Sequence, residues 1–338
     1  MIKANIWILW VVAVMIISLS TRNPIYLSVL LFGLFYLGHQ LAQKKNQSPW
    51  LLPNLKFILT MILLSTLING LFAHIGATVL FTIPQGWPLI GGIITLESLV
   101  YGAINGLIIG VLYLLFNVLN LALSIKQITR LIPRAFYPVA MVVTIALTFF
   151  PSIQQRTQEI KEAQMIRGNP MKKVADWLPI LIPLLVSSLE NAIQLAESMT
   201  SRGFHKKSME NSSIPLTGLI LATFAVFSGW ILQLYQYPEF VFITLYFIGF
   251  ILTVGILLFL GKQSKITRYH QELWHKADIV LGLITTLFLV GFAYLTLSNQ
   301  LLSINYSPYP SLKPPTIQII GIVLCLLPII PGFRVRHD

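Results

Sequence analysis

The feature that most limits what this chain can fold into is a succession of apolar runs, most approaching twenty residues, separated by short polar turns. Inside a bilayer every backbone N–H and C=O must be satisfied within the segment, and about 20 apolar residues suffice for a helix to cross. Such runs cover roughly residues 6–19, 25–41, 57–73, 96–123, 216–235, 240–260, 279–297 and 317–330. Of the 338 residues 56% are hydrophobic and only 10% charged, far fewer charges than a soluble domain carries. The expected fold is all-α: a polytopic helical membrane protein with about eight transmembrane helices and a cytoplasmic helical domain. Three parts follow from the order of the runs: N-terminal transmembrane helices over 1–125, cytoplasmic helices over 126–213, and C-terminal transmembrane helices over 214–338.

Charge placement orients the runs. A net charge of +12 would point to nucleic acid in a soluble chain; in this one it reflects Lys and Arg held in cytoplasmic loops and attracted to anionic lipid headgroups, so no nucleic-acid partner is expected. Lys44, Lys45, Lys126, Arg130, Lys262, Lys265, Arg268, Lys276, Arg334 and Arg336 all fall inside if both termini are cytoplasmic, and Arg22 and Lys313 are mild exceptions. Residues 74–97 contain no Lys or Arg and several Gly and Pro, which predicts an outward-facing loop dipping into the interface. The run 135–150 is short and basic on both sides, which reads as a helix buried in protein or lying at the cytoplasmic membrane face. The N-terminal run reads as a retained first span, with signal-peptide cleavage as the alternative. Cys325 stands alone within an apolar run, which provides neither a disulfide framework nor a cysteine metal site.

The only long polar segment, 151–204, holds two helix-like runs with the same ending. One runs from Ile153 to Arg167-Gly168, followed by Asn169-Pro170; the other runs from Leu184 to Arg202-Gly203. Glycine just past a helix end supplies the left-handed residue of a C-cap, so each helix delivers an arginine on its last turn. A cation there is favourable against the helix dipole for structural reasons alone. Two in succession admit a second reading, a surface that presents two permanently charged forks to a partner protein. Between them, Trp177-Leu-Pro-Ile-Leu-Ile-Pro-Leu-Leu is too short and too proline-broken for a span. Leu185, Leu189, Ala192, Ala196 and Met199 recur at helical spacing as a stripe that packs on the membrane side or on the neighbouring helix.

Glu97 is one of very few acids near the membrane and as such a candidate membrane-site residue. The competing reading is a helix start, with Thr95 as N-cap and Glu97 in the first turn. There is no Gly-x-x-x-x-Gly-Lys-[Ser/Thr] phosphate loop, no His-Glu-x-x-His and no Gly-x-Ser-x-Gly. His74, His205, His270 and His275 do not cluster with carboxylates at ligand spacing. No catalytic residue, no metal ligand and no cofactor bound by the chain itself is expected.

The segments Ala146-Leu-Thr-Phe-Phe-Pro151, Glu162-Ala-Gln164-Met-Ile166-Arg167-Gly168 and Glu197-Ser-Met-Thr-Ser201-Arg202-Gly203-Phe204 resemble, in that order, the transmembrane (T) components of energy-coupling factor transporters, the EcfT/CbiQ family. Ile93-Ile-Thr95-Leu-Glu97-Ser and Pro179-Ile-Leu-Ile-Pro183-Leu-Leu are similar to the family pattern too. The resemblance covers roughly residues 5–235; where the family has Ala-Arg-Gly, Ile166 and Ser201 hold the first position, and the part after about 236 has no counterpart. It implies a non-catalytic scaffold in a bacterial or archaeal cell membrane. Two ABC-type ATPase subunits, which carry the ATP, would bind the coupling helices. A separate small membrane protein would bind the vitamin or metal ion. Arg167 and Arg202 would each enter a groove on one ATPase, within a docking set of Gln164, Ile166, Arg167, Gly168, Ser201, Arg202 and Gly203. The alternative is a self-contained secondary transporter, which requires ionisable residues or broken helices at mid-membrane that the runs almost lack. A membrane enzyme requires a polar catalytic cluster that is missing from the sequence.

Overall fold

The computed structural model describes residues 3–46, 49–83, 92–168, 177–203, 213–235, 237–263, 276–297, 304 and 306–335. Asn169-Pro170, Phe204, the His205-Lys206-Lys207 run, most of the 262–276 loop and the tip of the 74–97 loop lie outside the described residues. Helices dominate: α1 (Ala4–Ser20), α2 (Pro24–Lys44), α3 (Leu51–Phe72), α4 (Leu96–Ala122), α5 (Ile125–Thr129), α6 (Tyr137–Ile166), α7 (Leu178–Ser201), α8 (Ser213–Leu234), α9 (Glu239–Gln263), α10 (Lys276–Leu297), α11 (Ile319–Cys325) and α12 (Ile330–Val335). The described chain divides into two units, one of residues 1–128 with 270–338 and one of residues 129–269. Contacts thus assign the C-terminal helices to two different units: α8 and α9 lie in the second, α10 to α12 in the first.

In the first unit the core lies where α1, α2 and α4 meet, around Trp10, Ile17, Tyr26, Leu30, Leu114 and Val118. The turn between α1 and α2 is set locally. Asn23 Oδ1 accepts the Ile25 N–H at 3.0 Å and Pro24 starts the helix, where its missing N–H costs nothing. Helix α3 packs on α4 through small residues. A Cβ on Gly102 would come within 2.7 Å of the Ser65 carbonyl and 2.8 Å of Thr66 Cα, and Ser65 Oγ donates to the Gly102 carbonyl at 2.8 Å. A polar knot adds to this pair: Asn54 Oδ1 accepts from Tyr113 Oη (2.8 Å) and Asn117 Nδ2 (3.1 Å), while Asn117 Oδ1 accepts from Trp50 Nε1 (2.9 Å). Small residues for close approach and side-chain bonds across helices are what holds helices together in lipid, where apolar contact alone gives no preference.

Several expectations are corrected here. The apolar run 135–150 and the first Arg-Gly helix form one 30-residue helix, α6, with Pro151 inside it. Proline removes one intrahelical bond, but the flanking turns carry the helix through. The proline-broken stretch is likewise the start of α7: Pro179 sits in its first turn and Pro183 lies inside it. By length and apolarity α7 (Leu178–Ser201) also qualifies as a span, one of seven such helices among the described residues. The run 317–330 is instead broken into α11, a 3-10 turn (Leu327–Ile329) and α12, with Pro328 and Pro331 at the breaks. The 74–97 loop contains an antiparallel hairpin, β1 (Val79–Ile83) with β2 (Gly92–Thr95), which its Gly and Pro content concealed.

Candidate functional site

The two Arg-Gly ends belong to neighbouring helices of the second unit. Helix α6 ends at Ile166 with Arg167 as C-cap, and α7 ends at Ser201 with Arg202 as C-cap. Gly168 and Gly203 follow with φ of 83° and 80°, the left-handed region that glycine enters without steric cost. Their N–H groups bond back to Met165 O and Thr200 O, each at 3.0 Å. No atom lies within 4 Å of where a Cβ would stand on either glycine, so backbone conformation and not crowding requires them.

The two helices run in opposite senses. Arg156 Nη2 of α6 donates to Asn191 Oδ1 of α7 at 3.3 Å, while Gln164, farther along α6, reaches back to Pro179 at the start of α7. This second contact has a local cause. Pro183 has no N–H, so the Pro179 carbonyl lacks its intrahelical donor, and Gln164 Nε2 stands 3.5 Å from it. Arg167 follows Arg156 by 11 residues and Arg202 follows Asn191 by 11, so the arginines stand at opposite ends of the pair, each about 16 Å along its helix from the Arg156–Asn191 contact. Both side chains are exposed, and neither guanidinium has a partner among the described residues. Ile166, beside Arg167, is 87% exposed, and Ser201 Oγ donates to the Ser198 carbonyl at 2.9 Å.

The face of α7 that packs on α6 differs from the expected stripe. Ile180 is buried, and Leu184, Ser187, Ser188, Asn191, Leu195 and Met199 are half-buried, whereas Leu185, Leu189, Ala192 and Ala196 are exposed. Periodicity located the apolar face, but the inward face is the mixed one that makes the Arg156 contact. Met199 alone of the expected set lies toward the helix pair.

Thr95 and Glu97 lie in the first unit, at the junction of the hairpin and α4. Thr95 is the N-cap, its Oγ1 accepting from Ser98 N at 3.3 Å and donating to the Ile75 carbonyl at 2.8 Å. Glu97 is fully buried, and its two carboxylate oxygens stand 3.1 and 3.3 Å from the Thr78 N–H. It therefore fastens the strand leading into the hairpin to the start of α4. The Asn54–Tyr113–Asn117 knot was not foreseen. The available signal was Tyr113 and Asn117 at i and i+4 in an otherwise apolar run, facing one side of the helix.

Long apolar helices with little strand make this a multi-pass helical membrane protein. The sequence profile of a family described as cobalt transport protein, CbiQ, matches residues 2–213, more than half of the chain. The chain belongs to that family, the transmembrane (T) components of energy-coupling factor transporters. It is 31% identical over 211 residues to the energy-coupling factor transporter transmembrane protein EcfT of Acidaminococcus fermentans, covering 58% of this chain and 75% of that one. The EcfT protein of Bacillus subtilis is 29% identical over 187 residues, covering 52% and 69%, and that of Exiguobacterium sibiricum is 30% identical over 190 residues, covering 52% and 70%. The family match ends where α8 begins, so the remaining helices lie beyond it.

Proposed function

We propose that this chain is the scaffold subunit of an ATP-driven importer. It couples ATP hydrolysis on two cytoplasmic ABC-type ATPases to uptake of a vitamin or metal ion held by a separate small membrane protein. The observation that carries this reading is the pair of exposed guanidinium groups at the opposite ends of α6 and α7, each behind a left-handed glycine stop. An arginine fork inserted into a groove makes charge-assisted, in favourable cases bidentate, bonds to carboxylates or carbonyls. Two forks at opposite ends of one helix pair suit two copies of a similar partner. When the ATPases close on ATP, their approach acts on both ends of the pair at once, and the helices tilt or release the substrate-binding subunit.

The exposed Leu178, Ile182, Leu185 and Leu189 of α7 suit a membrane-embedded partner for the same helix pair. Both termini and the Arg-Gly ends face the cytoplasm in this reading, because the basic loops gather on one side. ATP stays on the partner subunits, since the chain has no phosphate loop. Glu97 and Thr95 act as a junction and not as a transport site, because their polar atoms are engaged with Thr78, Ile75 and Ser98. Liposomes provide the test. The chain by itself is expected to take up nothing and hydrolyse no ATP, and uptake by it alone would refute the scaffold reading in favour of a secondary transporter.

A further inference from the structure

The family match ends at residue 213, yet Ile304 and residues 306–327 are bonded to a part inside that match, the α1–α2 hairpin, at several separate points. Arg22 N–H donates to the Ile304 carbonyl at 3.0 Å, and Asn23 Nδ2 donates to the Thr316 carbonyl at 2.9 Å. Tyr26 Oη accepts from Gln318 N at 2.9 Å and donates to its carbonyl at 3.3 Å. Trp10 Nε1 donates to the Leu327 carbonyl at 3.4 Å. The same stretch reaches the base of the β1–β2 hairpin, where Ala77 N–H donates to the Pro310 carbonyl at 3.2 Å.

Three of these bonds involve buried aromatic side chains, two at Tyr26 and one at Trp10. Trp10 and Tyr26 are each 1% exposed, and a buried indole N–H or phenol O–H in a membrane protein needs a partner, because lipid provides none. Leu324, Cys325 and Leu327 enter the same core as Trp10, Tyr26, Leu27 and Leu30. At Gly321 the fit leaves no room for a side chain: a Cβ would lie 2.6 Å from Tyr26 Cζ and 2.7 Å from its Oη. Shape, apolar burial and hydrogen bonds therefore agree on one seat for this segment.

We propose that residues 306–327 are an intramolecular strap. It ties the α1–α2 turn to the base of the β1–β2 hairpin and occupies the α1–α2 face, which is thereby closed to any other membrane protein. The occupant of that face is the chain itself, held there by its covalent tether at high effective concentration.

Cys325, the sole cysteine of the chain and 3% exposed, reports on the strap directly. The measurement is its rate of modification by N-ethylmaleimide in the purified full chain. The wild type is expected to react slowly with no partner present. Tyr26→Phe, which removes the hydroxyl that bonds Gln318, is expected to raise the rate by roughly tenfold through local release. Gly321→Ala is expected to raise it as well, but to add nothing in a Tyr26→Leu background, where the obstructing ring is gone. If Gly321→Ala yields no folded protein, Tyr26→Phe decides the matter, since it alters almost no volume. Fast labelling of the wild type that slows only when another membrane protein is co-expressed would overturn the proposal, and so would an unchanged rate in Tyr26→Phe.

Discussion

Helices α4 and α7 are of similar length, 27 and 24 residues, but they are held in opposite ways. Eleven residues of α4 are buried, among them three glycines, and its neighbours α1, α2 and α3 enclose it. One residue of α7 is buried, Ile180, and its packing within the unit is the contact with α6. The first helix is built to stay where it is. The second leaves most of its surface, including both apolar and charged groups, exposed. The contrast teaches that stability and the proposed coupling fall on different residues here: the groups that hold the fold are buried and paired, and the groups proposed to do the work are exposed and unpaired.

That contrast orders the expected effects on the fold. The largest belongs to Gly102→Leu. Its side chain would have to displace backbone of α3, so overpacking should cost about 3 kcal/mol or more and abolish the folded yield in detergent. Normal thermal stability of this variant would mean that α3 and α4 are not closely packed. Next comes Asn54→Leu, which leaves Tyr113 and Asn117 without their shared acceptor. A loss of about 1–3 kcal/mol is expected in thermal unfolding, toward the low end because polar groups in lipid find other partners.

Smaller effects fall on α6 and α7. Gly168→Ala and Gly203→Ala meet no atom and lose only the left-handed preference, about 1 kcal/mol each, without change in partner-free oligomeric state. A cost several times larger, measured by the same melting curve, would point to an unrecognised contact at these stops. Arg156→Met should change stability by roughly 0.5–1.5 kcal/mol, the worth of one hydrogen bond. Its more telling effect is geometric. Spin labels at Ile166→Cys and Ser201→Cys, in a Cys325→Ser background, should show a broader distance distribution when Arg156 is replaced, and an unchanged distribution would mean that this contact does not set the pair.

Much of this was legible in the sequence because the signals are local. Apolar run length marked α2, α4, α8, α9 and α10 close to where they lie, and α3 apart from residues 51–56 at its start. The Thr21-Arg22-Asn23-Pro24 turn and the two glycine stops were readable because capping chemistry involves residues a few positions apart. What escaped depended on distant partners. Pro151 and Pro183 look like breaks, and only neighbouring turns, together with the Gln164 contact to Pro179, let α6 and α7 run through or past them. Which face of α7 meets α6 was not legible either, because the apolar stripe is the exposed one and the mixed face makes the contact. Nothing near residues 306–327 in sequence announces that they end on Trp10 and Tyr26, some 300 positions away.

The smallest effect on the fold is expected from the two arginines themselves, and there the order reverses. As surface C-caps they contribute about 0.3–1 kcal/mol each to stability. As forks buried in a partner groove they contribute about 2–5 kcal/mol each to binding. Arg→Lys should recover only part of that binding if the planar fork matters. The deciding measurement is retention of the two ATPase subunits by the full chain carrying Arg167→Ala with Arg202→Ala, taken together with its melting temperature in detergent. The account predicts a nearly unchanged melting temperature and loss of the ATPases. Full ATPase retention with normal uptake would show that these arginines only close their helices, and would contradict it.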